Sequence, residues 1–184
     1  MTLSKILSGA ALAALLAVGG CGSQTKESAT PTDAAKDAAG DSTITAGLGD
    51  ASKFAAAAKA SGLDATLSGP GPYTVLVPTD AAFAKMPAGA LDQLMKPEAR
   101  TELTGVLTYH ILPGVMLSED IAKAIDAGKG KALLPTMAGG TLTATKDGDA
   151  IVITDGAGDK ATLGGDEKQS NGVIHRIDSV MMPS

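Results

Sequence analysis

Two histidines, one cysteine and a scatter of carboxylates are the residues of this chain with chemistry to offer. His110 and His175, joined by nearby acids, could ligate a metal. Their spacing argues against it, because no His-x-x-x-His or Glu-x-x-His pairing occurs and there is no second cysteine. No metal and no other cofactor is therefore expected. Each imidazole is expected instead to make a satisfied hydrogen bond at a core edge. A hydrolase needs an activated nucleophile. The chain has no Gly-x-Ser-x-Gly and no Ser-x-x-Lys at a convincing helix start, so no catalytic residue is assigned. Gly156-Ala157-Gly158-Asp159-Lys160-Ala161 fits a loose dinucleotide-binding glycine pattern. The residues that follow, Thr162-Leu163-Gly164-Gly165, make a poor helix, so the match reads as a glycine-rich turn. Asp147, Asp149, Asp155, Asp159 and Asp166 lack the alternating spacing of a calcium loop and read as solvated turn residues.

The cysteine has a different setting. Lys5 precedes an apolar run from Ile6 to Val18, shorter than the ~20 residues a spanning helix needs. The run ends in Val18-Gly19-Gly20-Cys21, which resembles the lipobox of bacterial lipoproteins. That resemblance implies an export signal over residues 1–20, with Cys21 acylated as the mature N-terminus. Gly22 after the cysteine resembles an outer-membrane sorting pattern. The competing reading is a buried N-terminal helix with an incidental cysteine. Residues 22–43 are mostly Ser, Thr, Ala, Asp, Lys and Gly with Pro31, and bury too little to offset their ordering entropy. Residues 21–43 therefore read as the lipidated cysteine and a flexible linker. A single cysteine rules out an intrachain disulfide.

The elements that must position the histidines begin near Ile44. The sequence has 184 residues, 44% hydrophobic, but two Phe, two Tyr and no Trp, so its core is aliphatic. The formal charge is −5 and no basic stretch occurs, which argues against a nucleic-acid partner. Asp50 or Ser52 can cap a helix through Phe54, Ala57 and Ala58, closed by Gly62. Gly69-Pro70-Gly71-Pro72 breaks the chain before a strand, Tyr73 to Val77. Thr79 or Asp80 caps a short helix carrying Phe83 and Met86, and Leu91, Leu94 and Met95 fit another. Pro97 opens a helix with Leu103, Val106, Leu107 and His110 on one face, ending at Pro113-Gly114. Ser118-Glu119-Asp120 opens a further helix through Ile125 to Gly128. Strand patterns follow from Lys131. Leu142–Lys146 and Asp149–Thr154 flank Asp147-Gly148 as a hairpin, and Ala161–Leu163 is a short strand. Asn171-Gly172 is a tight turn of residues that tolerate positive φ. It leads into an apolar closing strand from Val173 through Val180, stopped by Pro183 and buried on both faces beside Tyr73–Val77. Helices first and strands later give an α+β fold.

Three motifs carry a family resemblance. Tyr73 to Phe83, with Thr79 and Asp80, resembles the first signature box of fasciclin-like domains. Ser170 to Pro183, with Asn171, Gly172, His175 and Asp178, resembles the second. Tyr109-His110 is similar to the Tyr-His pair between them. The resemblance covers roughly residues 44–184 and implies a compact β-core packed against a layer of short helices.

It also implies adhesion rather than catalysis. In some animal members, integrin binding is assigned to the Tyr-His region and to an Asp-Ile pair ahead of the second box. Here the second position is Asp166-Glu167, and the charge in place of Ile argues against integrin-type recognition. Tyr109, His110 and Asp166 are the candidate binding region. Tyr109 either contacts a partner or packs in the core with its hydroxyl on backbone, and the second is favoured. The reading is a lipid-anchored, extracytoplasmic, non-catalytic binding module. Its partner would be a cell-surface or matrix protein or a polysaccharide, and its lipid anchor would reach a membrane. The alternative is an envelope small-ligand carrier or enzyme with a pocket near His110 and His175.

Overall fold

The computed structural model describes residues 40–49 and 52–183. Cys21, the export signal, most of the linker and the alternative cap Asp50 lie outside the described residues.

Local sequence explains the helical part. Helix α1 is Ile44–Gly47. The Ser52 side chain accepts from the Ala55 N–H and starts α2, Lys53–Ser61, which ends at Gly62 with φ 83°. Helix α3 is Asp64–Ser68. After strand β1, Tyr73–Pro78, Thr79 caps α4, Asp80–Ala84, by accepting from the Ala82 N–H at 3.2 Å. Helix α5 is Ala90–Leu94, and a 3-10 turn at Pro97–Ala99 leads into α6, Arg100–Tyr109. Helix α7 is Ser118–Ala127. The remaining strands are β2 Ile111–Pro113, β3 Lys131–Pro135, β4 Thr141–Asp147, β5 Ala150–Thr154, β6 Lys160–Gln169 and β7 Gly172–Ile177.

The seven strands form one sheet in the order β2-β1-β7-β6-β5-β4-β3. β1 and β7 are adjacent and parallel, with Val75 opposite Ile174, and the other pairs are antiparallel. Both faces of this central pair are covered. Val75, Val77 and Ile174 join a cluster with Phe54, Leu103 and Leu107 from the helices. Leu76 and Ile177 join a second cluster with Ile121 and Ile125 of α7 and Leu142 and Ile153 of the hairpin. Double-sided burial is why β1 and β7 read as unbroken apolar runs.

Five details depart from the sequence reading. β7 stops at Ile177, well before Pro183, because the Asp178 carboxylate turns to accept the Thr162 N–H at 2.7 Å. β6 is ten residues long and runs through Asp166 and Glu167. Its Gly164-Gly165 lies at a register shift between Leu163 and Asp166, where Gly164 packs against the Arg176 backbone. The Pro97 helix ends at Tyr109, and Ile111–Pro113 pairs with β1 as an edge strand. Asn171 has no positive φ. It follows Ser170 in a two-residue loop between Gln169 and Gly172, and its side chain does the work. In the β4–β5 hairpin the loop pair is Gly148-Asp149, one residue later than expected.

Candidate binding region

His110 sits at the C-terminal cap of α6 and is 1% exposed. Its Nδ1 lies 2.8 Å from the Val106 carbonyl, which can only accept. Its Nε2 accepts from the Met181 N–H at 3.1 Å. The two partners together specify the neutral, Nδ1-protonated ring. Burial lowers its pKa from 6.5 to about 4, and the Val106 bond and the Asp155 charge offset part of that shift. The ring also stacks edge-on against Phe54, with centroids 6.1 Å apart.

Tyr109, 3% exposed, lays its ring beside Gly140, and its hydroxyl accepts from the Gly156 N–H at 3.4 Å. That long bond is worth at most about 1 kcal/mol. Tyr109→Phe is therefore expected to lower stability by about 1 kcal/mol or less and to leave adhesion unchanged. Thermal melting alongside adhesion of cells displaying the domain checks this. Lost adhesion with unchanged melting would make the hydroxyl a contact.

Asp166 and His175 meet on the α7 face of the sheet. Asp166 Oδ1 accepts from both the N–H (2.9 Å) and the hydroxyl (2.5 Å) of Ser118, the first residue of α7. A β6 carboxylate thus serves as the helix cap, since the cap residue Leu117 has no polar side chain. His175 is fully buried, with Nε2 2.8 Å from the Met116 carbonyl and Nδ1 3.4 Å from Asp166 Oδ1. Ser118, Asp166 and His175 do not form a catalytic triad. The hydroxyl is bonded to the carboxylate, so the imidazole cannot act as its base. Glu167, the charge that stands in place of Ile, holds Arg176 through two bonds of 2.9 and 3.0 Å.

The signature residues join segments distant in sequence. Asn171 Oδ1 accepts from the Ile44 N–H, and Nδ2 donates to the Leu67 and Gly69 carbonyls, all at 2.8 Å. At Gly172 a Cβ would collide with the Tyr73 carbonyl of β1. Asp80 accepts from the Lys53 N–H at 3.0 Å, and Phe83 is buried in the helical cluster. Asp155 was missed. Read as solvated, it is 7% exposed and accepts from the Ala157, Asp159 and Met182 N–H groups. An Asp opening a Gly-rich turn was the available signal, since Asp there folds back onto the amides that follow.

The cavity touching His110 holds about 10 Å³, room for one water at most, and His175 does not line it. Two open grooves are larger, about 510 and 410 Å³, and share Met86, Ala90 and Met182. Among the described residues no acid, His and Cys cluster could hold a metal, and no helix is long and apolar enough to cross a membrane.

This arrangement defines a single α+β module whose hallmark polar residues are spent on its own backbone. The family model of the fasciclin domain matches residues 49–183, and the chain belongs to the fasciclin domain family. It is 39% identical over 162 residues to protein sll1483 of Synechocystis sp., covering 86% of this chain and 82% of that protein. Human periostin is 36% identical over 134 residues, 73% of this chain but 15% of periostin. The FAS1 domain pair of the insect cell adhesion molecule fasciclin I superposes with a TM-score of 0.66 at 20% identity. That superposition covers 76% of this chain and 50% of the pair, and it shows the fold. Fasciclin domains are adhesion and binding modules.

Proposed function

We propose that the protein is a lipid-anchored, extracytoplasmic fasciclin module that binds a cell-surface or matrix protein or a polysaccharide without catalysis. The observation that carries this reading is where the linker joins the domain. Ser42 accepts from the Ser170 N–H at 2.8 Å and Ile44 donates to Asn171, so the chain enters at the β6–β7 hairpin. β1 and β7 run away from that hairpin in parallel, six residues each, about 17–20 Å. At their far ends lie Thr79, α4 and the segment from Asp178 to Met182, of which Ala82, Ser179, Val180 and Met182 line the two grooves, together with Met86. An anchor at Cys21 would tether the domain through its hairpin end, with the grooves at the opposite end and free to meet a partner. Methionine suits such a surface because its flexible thioether adapts to different partners. The adhesive role of the insect relative supports the same reading.

Cys21→Ser is expected to abolish labelling by a fatty-acid analogue and to move the protein from the membrane to the soluble fraction. One short acyl chain anchors only marginally, so stable attachment implies more than one. An unlabelled wild type would end the anchor proposal. Adhesion of cells displaying the domain to envelope polysaccharide and protein tests the surface. Met182→Asp should weaken it, and adhesion equal to wild type would place the contact elsewhere.

A further inference from the structure

The segment from Gly114 to Ser118 straps β2 to α7 across the face of β1, β7 and β6. Three side chains hold it. Thr74 Oγ1 donates to the Gly114 carbonyl at 2.8 Å and accepts from the Met116 N–H at 2.9 Å. Asp166 holds Ser118, and His175 holds the Met116 carbonyl.

The third holder is incomplete. A carbonyl only accepts, so His175 must carry a proton on Nε2 to bond Met116. In the neutral ring Nδ1 is then a bare lone pair, fully buried and without a hydrogen-bond partner. The atom it faces, Asp166 Oδ1 at 3.4 Å, is itself an acceptor. An acceptor turned toward a carboxylate oxygen from a fully buried ring, with no water to satisfy it, is unfavourable even though Asp166 itself reaches solvent. A second proton on the ring removes the conflict, because Nδ1–H then donates to Asp166 while Nε2–H keeps Met116.

We propose that His175 and Asp166 form a proton-operated clasp, which tightens the Gly114–Ser118 strap and the start of α7 as pH falls. Protonation converts two separate holders into one chain, Met116 carbonyl to imidazolium to carboxylate to Ser118. The surrounding charges do not supply a rival partner. On β6, Lys168 lies one pair further along the same face and is exposed. On α7, Glu119 is paired with Lys123 at 2.6 Å, and Asp120 accepts from the Leu117 N–H at 3.2 Å. β1 presents Thr74 and Leu76, neither ionisable in this range. Arg176 is engaged by Glu167 and the Gly47 carbonyl. The clasp does not depend on the anchor.

The test is nitrogen NMR of the imidazoles together with amide exchange on the full chain, between pH 8 and pH 5. At pH 8 His175 should show a proton on Nε2 and a bare Nδ1, and at pH 5 both nitrogens should be protonated. The protection factors of the Met116 and Ser118 amides, corrected for intrinsic exchange, should rise at least threefold over that interval. In Asp166→Asn, which keeps an acceptor for Ser118 but no charge for His175, the rise should vanish. A ring that stays neutral to pH 5, or carries its pH 8 proton on Nδ1, overturns the proposal without need of a variant. So does a ring that titrates while protection stays constant.

Discussion

Asn171→Ala is expected to destabilise the domain by about 3 kcal/mol, the sum of three net hydrogen bonds and the exposure of their partners. The Asn171 amide is the point at which α1, the α3–β1 connection and the β6–β7 hairpin meet, through Ile44, Leu67 and Gly69. Truncation leaves one N–H and two carbonyls without their partner, at a site where the neighbouring Gly172 already packs against Tyr73 and Ile44. No aspartate can replace the amide. Asn171→Asp keeps an acceptor for Ile44 but turns a carboxylate oxygen toward two carbonyls, so it should be at least as damaging as Ala. Urea unfolding of the three proteins reads the effect as a shift in midpoint at constant slope. An aspartate variant as stable as the wild type would show that the two Nδ2 bonds contribute nothing.

The same residue shows what is legible in a sequence. Asn171-Gly172 marks a turn through composition alone, and the turn is there. The purpose of the asparagine is not, because Leu67 and Gly69 lie more than one hundred positions upstream. β1 and β7 are readable because burial on both faces forces a continuous apolar run. Most of β6 is not, because it is buried on one side only and Gly164-Gly165 imitates a loop where the structure has a register shift. β2 hides inside a helical spacing pattern, since three residues ending in proline carry no period of their own. Asp155 and Asp166 illustrate the same limit among the candidate site residues. Asp155 looks solvated in its polar turn until Met182 arrives from elsewhere in the chain to donate to it, and Asp166, which is exposed as read, gives no sign in sequence that Ser118 will donate to it.

Acidification is expected to expose the opposite design in His110. Its ring is buried in the neutral form, with Nε2 already accepting from Met181, so a second proton would set one N–H against another. Desolvation, the largest cause, holds the folded pKa at about 4 against 6.5 for a free histidine. A depressed folded value means that the unfolded chain binds the proton first. The contribution of neutral His110 is therefore fully present above pH 6.5, fades as pH falls, and is gone below about pH 4. The 2.5-unit gap between those values corresponds to about 3 kcal/mol. His110→Asn does not titrate. It should be less stable than the wild type at pH 7, having lost ring packing against Phe54, and the difference should shrink by about 3 kcal/mol by pH 4. His175 and most carboxylates are common to both proteins and drop out of the comparison. Urea unfolding at pH 7, 5.5 and 4 measures the difference directly. A gap that stays constant across those three values would mean that His110 is protonated in the folded domain, which the bond from Met181 forbids.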